Sequence, residues 1–176
     1  SQLRPVRSFC CIECTAAVEP GFATGEMVVA EAPGSLYDAT DRSTRTPEGL
    51  KSSFDLKFSV CIATCDRPAL LHQSFRSVMD QVQRPDEIVI SDASFQCPHE
   101  STFQQLSHAR QVTLRYLHSD VPSLPYQRQL ALAECRGDVV LFLDDDVELA
   151  PNAIRKVRTA YRDLSDPRAA GIGFMT

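Results

Sequence analysis

Asp144, Asp145 and Asp146 stand in a row directly after the apolar run Val139-Val140-Leu141-Phe142-Leu143. Three adjacent carboxylates do not belong to a core. Two like charges about 4 Å apart repel by roughly 4 kcal/mol at an effective dielectric near 20. Such a trio is either washed by solvent or held together by a cation. Hard carboxylate oxygens suit Mg²⁺ or Mn²⁺, and Mg²⁺ commonly takes one or two carboxylates plus substrate phosphates. The residues therefore admit two readings: a metal–diphosphate site, or an acidic loop that caps the next helix.

The elements around the trio decide what it can meet. The run 139–143 is β-branched and large apolar, entered through Gly137-Asp138. It reads as a strand buried on both faces. From Phe58 onward, strands and helices alternate. Residues 58–64 form a first strand, stopped by Asp66-Arg67-Pro68, and Pro68 suits the first turn of a helix. Leu71, Phe75, Val78 and Val82 then make one apolar stripe, closed by Arg84-Pro85. Residues 87–91 are a second strand that runs into Asp92-Ala93-Ser94. A helix over 101–110 leads to a strand over 112–117. A turn over 119–125 leads to a helix over 126–135, with Gly137 as its C-cap. Pro151 opens a further helix carrying Ile154, Val157, Tyr161 and Leu164, and a last strand begins near 169. This alternation predicts an α/β fold with a parallel sheet covered on both faces.

In such a sheet the parallel strands end along one rim, where ligands bind in open α/β folds. Thr64-Cys65-Asp66, Ser91-Asp92-Ala93-Ser94 and Asp144-Asp145-Asp146 collect there. Singly, an Asp after a strand reads as a turn former. Three such ends on one edge suit a nucleotide. An Asp accepts a hydrogen bond from a base or a ribose hydroxyl, while the trio takes metal and phosphate. Arg128, on the helix before the acidic strand, reaches the same rim and neutralises a phosphate; the plain alternative is a surface arginine.

Composition bounds the rest. At 176 residues, 43% hydrophobic and 23% charged, the chain can bury one sizeable core with an appendage. A net charge of −5 argues against nucleic acid as a partner. No apolar run approaches the roughly 18 residues of a membrane span, and no secretory signal opens the chain. Ser1 in place of Met suggests processing or a piece of a longer product. Of the seven cysteines, Cys61, Cys65, Cys97 and Cys135 are scattered, as free thiols in a reducing compartment are. Cys10, Cys11 and Cys14 cluster, but no second Cys/His pair follows at zinc-finger spacing. The expected location is the cytoplasm, with membrane association open for a longer form. Residues 1–55 read as a poorly structured or linker-like segment, rich in Pro, Gly, Ser and Thr over 31–53, with a short strand within 22–32. Residues 56–176 read as the folded domain.

Residues 58–68, Phe-Ser-Val-Cys-Ile-Ala-Thr-Cys-Asp-Arg-Pro, resemble the opening strand and turn of family 2 glycosyltransferases. That family usually shows an apolar strand, then Thr, an aromatic, Asn, Arg and Pro. Residues 85–94 are similar to its second strand, which commonly ends in Asp-Asp-Gly-Ser. Residues 125–131 resemble its Ala-Arg-Asn-x-Gly helix start. Residues 137–146, with Pro151 five residues on, resemble its metal-binding Asp-x-Asp element. The four motifs are in order and span about residues 56–176.

The resemblance implies a Rossmann-like GT-A fold: a three-layer αβα arrangement with a mostly parallel sheet, here truncated at its C-terminal side. It implies that Ala63, Thr64, Cys65 and Asp66 line a base pocket, that Asp92 bonds the uracil or other base, and that Arg128 faces the phosphates. Asp145 would sit by the ribose or donor sugar; Asp146 would ligate Mg²⁺ or Mn²⁺, with Asp144 in support. The implied activity is metal-assisted transfer of a sugar from a nucleoside-diphosphate sugar to an acceptor hydroxyl of a glycan, lipid or protein. The alternatives are a non-catalytic sugar-nucleotide binding module and a nucleotidyltransferase. The latter ordinarily shows a Gly-rich phosphate loop, and Cys65-Asp66-Arg67-Pro68 has no glycine. Cys65 and Asp66 depart from the family's aromatic and Asn, Ser91 and Ala93 from its Asp and Gly, Gln129 and Ala131 from its Asn and Gly. Of the acids after the trio, Asp163 and Asp166 lie on or just after a surface helix, so no general base is evident.

Overall fold

The computed structural model describes residues 8–12, 27–31, 56–163 and 169–174. Within them the predicted alternation is present. The strands are β1 (Ser8–Ile12), β2 (Met27–Glu31), β3 (Phe58–Thr64), β4 (Glu87–Asp92), β5 (Thr113–His118), β6 (Val139–Asp144) and β7 (Ala169–Phe174). The helices are α1 (Pro68–Met79), α2 (Glu100–Ala109), α3 (Leu124–Glu134) and α4 (Ala153–Asp163). Among the described residues the strands form one sheet, ordered β2-β7-β1-β6-β3-β4-β5. All pairings are parallel except that of edge strand β2 with β7.

Every residue of β3 and of β4 is buried, as strands covered on two faces require. Their side chains alternate between two cores. Phe58, Val60, Ile62, Ile88 and Ile90 pack with Leu71, Phe75, Phe103, Ile154 and Val157, from α1, α2 and α4. Cys61, Val89 and Val140 meet Ala131 of α3 on the other face. The result is three layers. Phe75 and Phe103 stack with ring centroids 4.0 Å apart, tying α1 to α2. Fully burying one such ring is worth about 1.5–3 kcal/mol.

Two expectations need correction. Val82 is 68% exposed and lies beyond α1. Met79 completes the buried stripe with Leu71, Phe75 and Val78, so the helix has no use for a further apolar turn. Gly137 is not the C-cap of α3. That helix ends at Glu134, with Cys135 as an extended C-cap. Gly137 is needed because the chain passes close to β3: a Cβ there would run into Ser59 Oγ and lie 2.8 Å from Ser59 N. Nearby, Glu87 accepts hydrogen bonds from Ser59 Oγ (2.5 Å), the Gly137 N–H (3.0 Å), the Arg136 N–H and Arg115. This cluster seals the sheet edge opposite the strand C-termini.

Two strands of the sheet come from residues 1–55. β1 lies between β6 and β7, with Ser8 opposite Val139, and contains Cys10 and Cys11. β2 falls within the window read as a short strand. The remainder of 1–55, Cys14 included, lies outside the described residues, as do Leu164 and Asp166. Among the described residues, no helix is long and apolar enough to cross a membrane.

The chain steps from β3 to β4 to β5, then returns through α3 to place β6 on the far side of β3. Strand order therefore reverses between β3 and β6. A crevice opens beyond the strand ends at such a reversal, and ligands of open α/β sheets bind there.

Candidate functional site

Registry sets the site. Thr64, last in β3, pairs with Asp92 of β4, and Ala63 pairs with Asp144 of β6. The three motif-bearing ends thus lie side by side on one rim. A cleft of about 320 Å³ opens between them, lined by Ala63, Thr64, Cys65 and Asp144–Asp146, with Arg67 and Gln127 at its sides. Pro122 and Leu124, from the loop and first turn of α3, give it an apolar wall.

The acidic trio is not left to repel itself. Arg128 Nη2 reaches Asp144 Oδ1 at 2.7 Å. Asp145, 5% exposed, accepts from Thr64 Oγ1 at 2.7 Å and from Arg67 Nη1 at 3.3 Å. Asp146 is half exposed, with Arg67 Nη1 3.9 Å away. Two guanidiniums and a hydroxyl thus offset the trio's charge. Among the described residues, no three His, Cys, Asp or Glu side chains are arranged to hold a metal. The donor set nonetheless fits Mg²⁺ or Mn²⁺ in the manner that uses one or two carboxylates and completes the shell with phosphate oxygens.

Helix α3 ties the rim together. Gln127 is buried, and its Nε2 donates to Thr64 O (2.6 Å) and to Ser91 O (2.9 Å), bridging the ends of β3 and β4. Arg128 follows it, with its guanidinium carbon 5.9 Å from the Phe142 ring centre.

Asp92 sits differently from the trio. It is 3% exposed and accepts from Tyr116 Oη at 2.5 Å and from the Ser94 N–H at 2.8 Å. Burial acts to raise its pKa, yet the hydrogen bonds from Ser94 and Tyr116 outweigh it and hold the carboxyl below the ordinary range. Burial and that same carboxylate push the tyrosine hydroxyl up. Asp92 faces a tight gap with Pro68, Leu71 and His99 rather than the open cleft. Asp66 takes the left-handed conformation (φ 52°), which Asp tolerates better than most residues. Its N–H donates to Ser94 Oγ at 2.7 Å and its carboxylate accepts from the Phe95 N–H at 3.3 Å. Cys65 Sγ lies 3.6 Å from Ala93 O. These contacts lace the loop after β3 to the loop after β4.

Of the residues singled out from sequence, Ala63, Thr64, Cys65 and Asp144–Asp146 line one cleft, and Arg128 joins it through Asp144. Asp66 and Asp92 are on the same rim but turn into loop and strand contacts. Three residues had no assigned part: Arg67, which grips two of the acids, Gln127, and Tyr116. Arg67 stood inside a quoted motif. Gln127 likewise falls within the quoted stretch 125–131, and nothing in local sequence marks Tyr116.

Residues 59–166 match the family described as Glycosyl transferase family 2. A curated relative, GalNAc(5)-diNAcBac-PP-undecaprenol beta-1,3-glucosyltransferase of Campylobacter jejuni, is 29% identical over 99 residues, covering 56% of this chain and 32% of the relative. Among solved structures, S. aureus TarS 1-349 superposes with a TM-score of 0.50 at 21% identity, over 59% of this chain and 32% of TarS. The Pyrobaculum calidifontis mannosyltransferase PcManGT, solved with GDP-Man and Mn²⁺, superposes at 0.51 with 17% identity, over 64% of this chain and 33% of that one. The chain spans about a third of the length of each. At these identities the two structures speak for the fold, the GT-A arrangement. The family match covers most of the chain, and on it this protein belongs to glycosyl transferase family 2.

Proposed function

We propose that the cleft between β3 and β6 binds a nucleoside-diphosphate sugar and serves metal-assisted transfer of the sugar to an acceptor hydroxyl. One observation carries this reading: Thr64, two arginines and the acidic trio converge on a single cleft at the reversal point of the sheet. Both guanidiniums are paired with the trio. A diphosphate offers them a doubly charged partner suited to their forked geometry. Arg128 and Arg67 then turn from carboxylate to phosphate oxygens, and Asp144 and Asp146 become available to hold Mg²⁺ or Mn²⁺. Such an ion, when bound, supplies Lewis-acid stabilisation of the charge that gathers on the departing diphosphate.

Asp145, tied to Thr64, is assigned to the ribose or donor sugar. The backbone of Ala63, Thr64, Cys65 and Asp66, with Pro122 and Leu124 opposite, is assigned to the base. Asp92 meets a base only if its carboxylate accepts a further hydrogen bond beside those from Tyr116 and Ser94. Transfer proceeds by direct displacement with inversion: the acceptor oxygen bonds to the anomeric carbon as the bond to diphosphate breaks. No general base is assigned. Among the described residues Asp163 closes α4 beside Arg162, and no contact draws it to the cleft. The Campylobacter relative is named for an undecaprenol-diphosphate-linked glycan, and we extend that acceptor class, a lipid-linked glycan, to this chain. The four cysteines within 56–163 are free thiols, in keeping with a cytoplasmic setting.

Calorimetric titration of UDP, GDP and UMP in Mn²⁺ tests the reading. A diphosphate should bind at least about tenfold more tightly than the monophosphate, the worth of one charge-assisted contact. Equal affinity for UDP and UMP would contradict it.

A further inference from the structure

Cys61 and Cys135 stand 74 positions apart in the chain, yet their Sγ atoms are 3.1 Å apart. Both are free. Cys61 lies mid-β3 on the face toward α3, 2% exposed, among Val89, Ala131 and Val140. Cys135 caps the end of α3, half-buried, with Sγ 3.3 Å from Ala131 O. The other two thiols within 56–163 have different neighbours: Cys65 has Ala93 O, and Cys97 has His118 Nδ1 at 3.5 Å. The juxtaposition is thus particular to one pair. Bond formation asks the two sulfurs to approach by only about 1 Å.

We propose that Cys61 and Cys135 form a reversible thiol–disulfide site, oxidised by a small-molecule disulfide of the glutathione class that enters at Cys135. The Cys135 thiolate attacks one sulfur of oxidised glutathione, breaking its S–S bond and expelling one glutathione thiolate. The Cys61 thiol gives its proton to solvent and attacks the Cys135 sulfur, expelling the second glutathione. Two electrons pass from the protein sulfurs to glutathione disulfide, which leaves as two thiols carrying the two protons.

The order follows from access. Cys61 is walled in, and its bond with Cys135, together with burial, raises its pKa well above the ordinary thiol range. It is the resolving partner, and Cys135 the entry point. The bond fastens the end of α3 to β3, on the helix that carries Gln127 and Arg128. Transient disulfides of this kind are how thiols act as sensors in reducing compartments.

The test equilibrates the full chain with excess oxidised glutathione, blocks remaining thiols with N-ethylmaleimide, and maps unreduced peptides by mass spectrometry. The expected product is a Cys61–Cys135 linked peptide, two hydrogens lighter than its parts and released by dithiothreitol. The thermal midpoint of the oxidised chain should exceed that of the reduced one. Cys135→Ser should abolish both effects, and Cys61→Ala should leave glutathione trapped on Cys135. The proposal is overturned if Cys61 and Cys135 both carry maleimide or glutathione in the wild-type chain, if either pairs with Cys65 or Cys97, or if Cys135→Ser keeps the midpoint shift.

Discussion

Thr64 Oγ1 donates to Asp145 Oδ2 at 2.7 Å, across 81 residues of chain. The bond joins the end of β3 to the residue just past β6, the two strands that flank the reversal of the sheet. Thr64 also offers its carbonyl to Gln127 Nε2 and pairs in register with Asp92. One residue thus touches β4, α3 and the acidic trio, and the floor of the cleft is built around it.

Thr64→Val keeps the shape and deletes the hydroxyl. The buried Asp145 carboxylate loses a donor, so the variant should be less stable by about 1–3 kcal/mol in urea unfolding. Thr64→Ser should recover most of that loss. A Val variant within about 0.5 kcal/mol of wild type would show that the bond contributes little.

Arg128→Ala should weaken UDP binding by about 1.5–3 kcal/mol, the range for a hydrogen bond to a charged group. UMP should lose less, because the contact is assigned to the diphosphate. Equal losses for the two nucleotides would move Arg128 from the phosphates to the ribose or base.

Asp92→Ala and Tyr116→Phe separate two roles for Asp92. If the carboxylate only fastens β4 to β5 and the loop at Ser94, both variants lower the thermal midpoint and leave UDP affinity within twofold, roughly 0.4 kcal/mol. If it also bonds the base, Asp92→Ala alone weakens UDP, by about 1–3 kcal/mol. The two outcomes are read by calorimetry on folded protein.

Glu87 sets a pH dependence. Burial acts to raise its pKa, but hydrogen bonds from Ser59, the Arg136 N–H and Arg115 outweigh it, and the net shift is downward from 4.5. A carboxyl depressed by folding contributes stability in full above its unfolded value and loses it as pH falls through the folded one. The wild-type thermal midpoint should therefore fall between about pH 5 and 3 more steeply than that of Glu87→Gln. Parallel curves would remove Glu87 as a source of acid sensitivity.

Much of this architecture was legible because local chemistry and tertiary role coincide. The runs 58–64, 87–91 and 139–143 are mostly apolar, as strands with two covered faces are, and acids that follow them have nowhere to go but the rim. The end of the α1 stripe is not legible, because Val82 and Met79 are alike in hydrophobicity and only packing distinguishes them. β1 is not legible: the five residues Ser8–Ile12 carry too short a period to announce a strand. The counter-charges of the trio were half legible. Arg128 is legible on the helix before the acidic strand; Arg67 reads as part of a turn. Gln127 acts through two long-range hydrogen bonds and Tyr116 through one, and the Cys61–Cys135 contact needs α3 to lie over β3. Such pairings exist only once the chain is folded.

In the proposed function, Asp146 and Asp144 hold a divalent ion together with a nucleoside diphosphate. That role is tested most directly by titrating UDP into wild type and Asp146→Ala, each with Mn²⁺ and with EDTA. Wild type should bind UDP at least about tenfold more tightly in Mn²⁺, and Asp146→Ala should lose that gain while keeping its thermal midpoint and its affinity in EDTA. An Mn²⁺ gain that survives in Asp146→Ala, or none in wild type, would contradict the account.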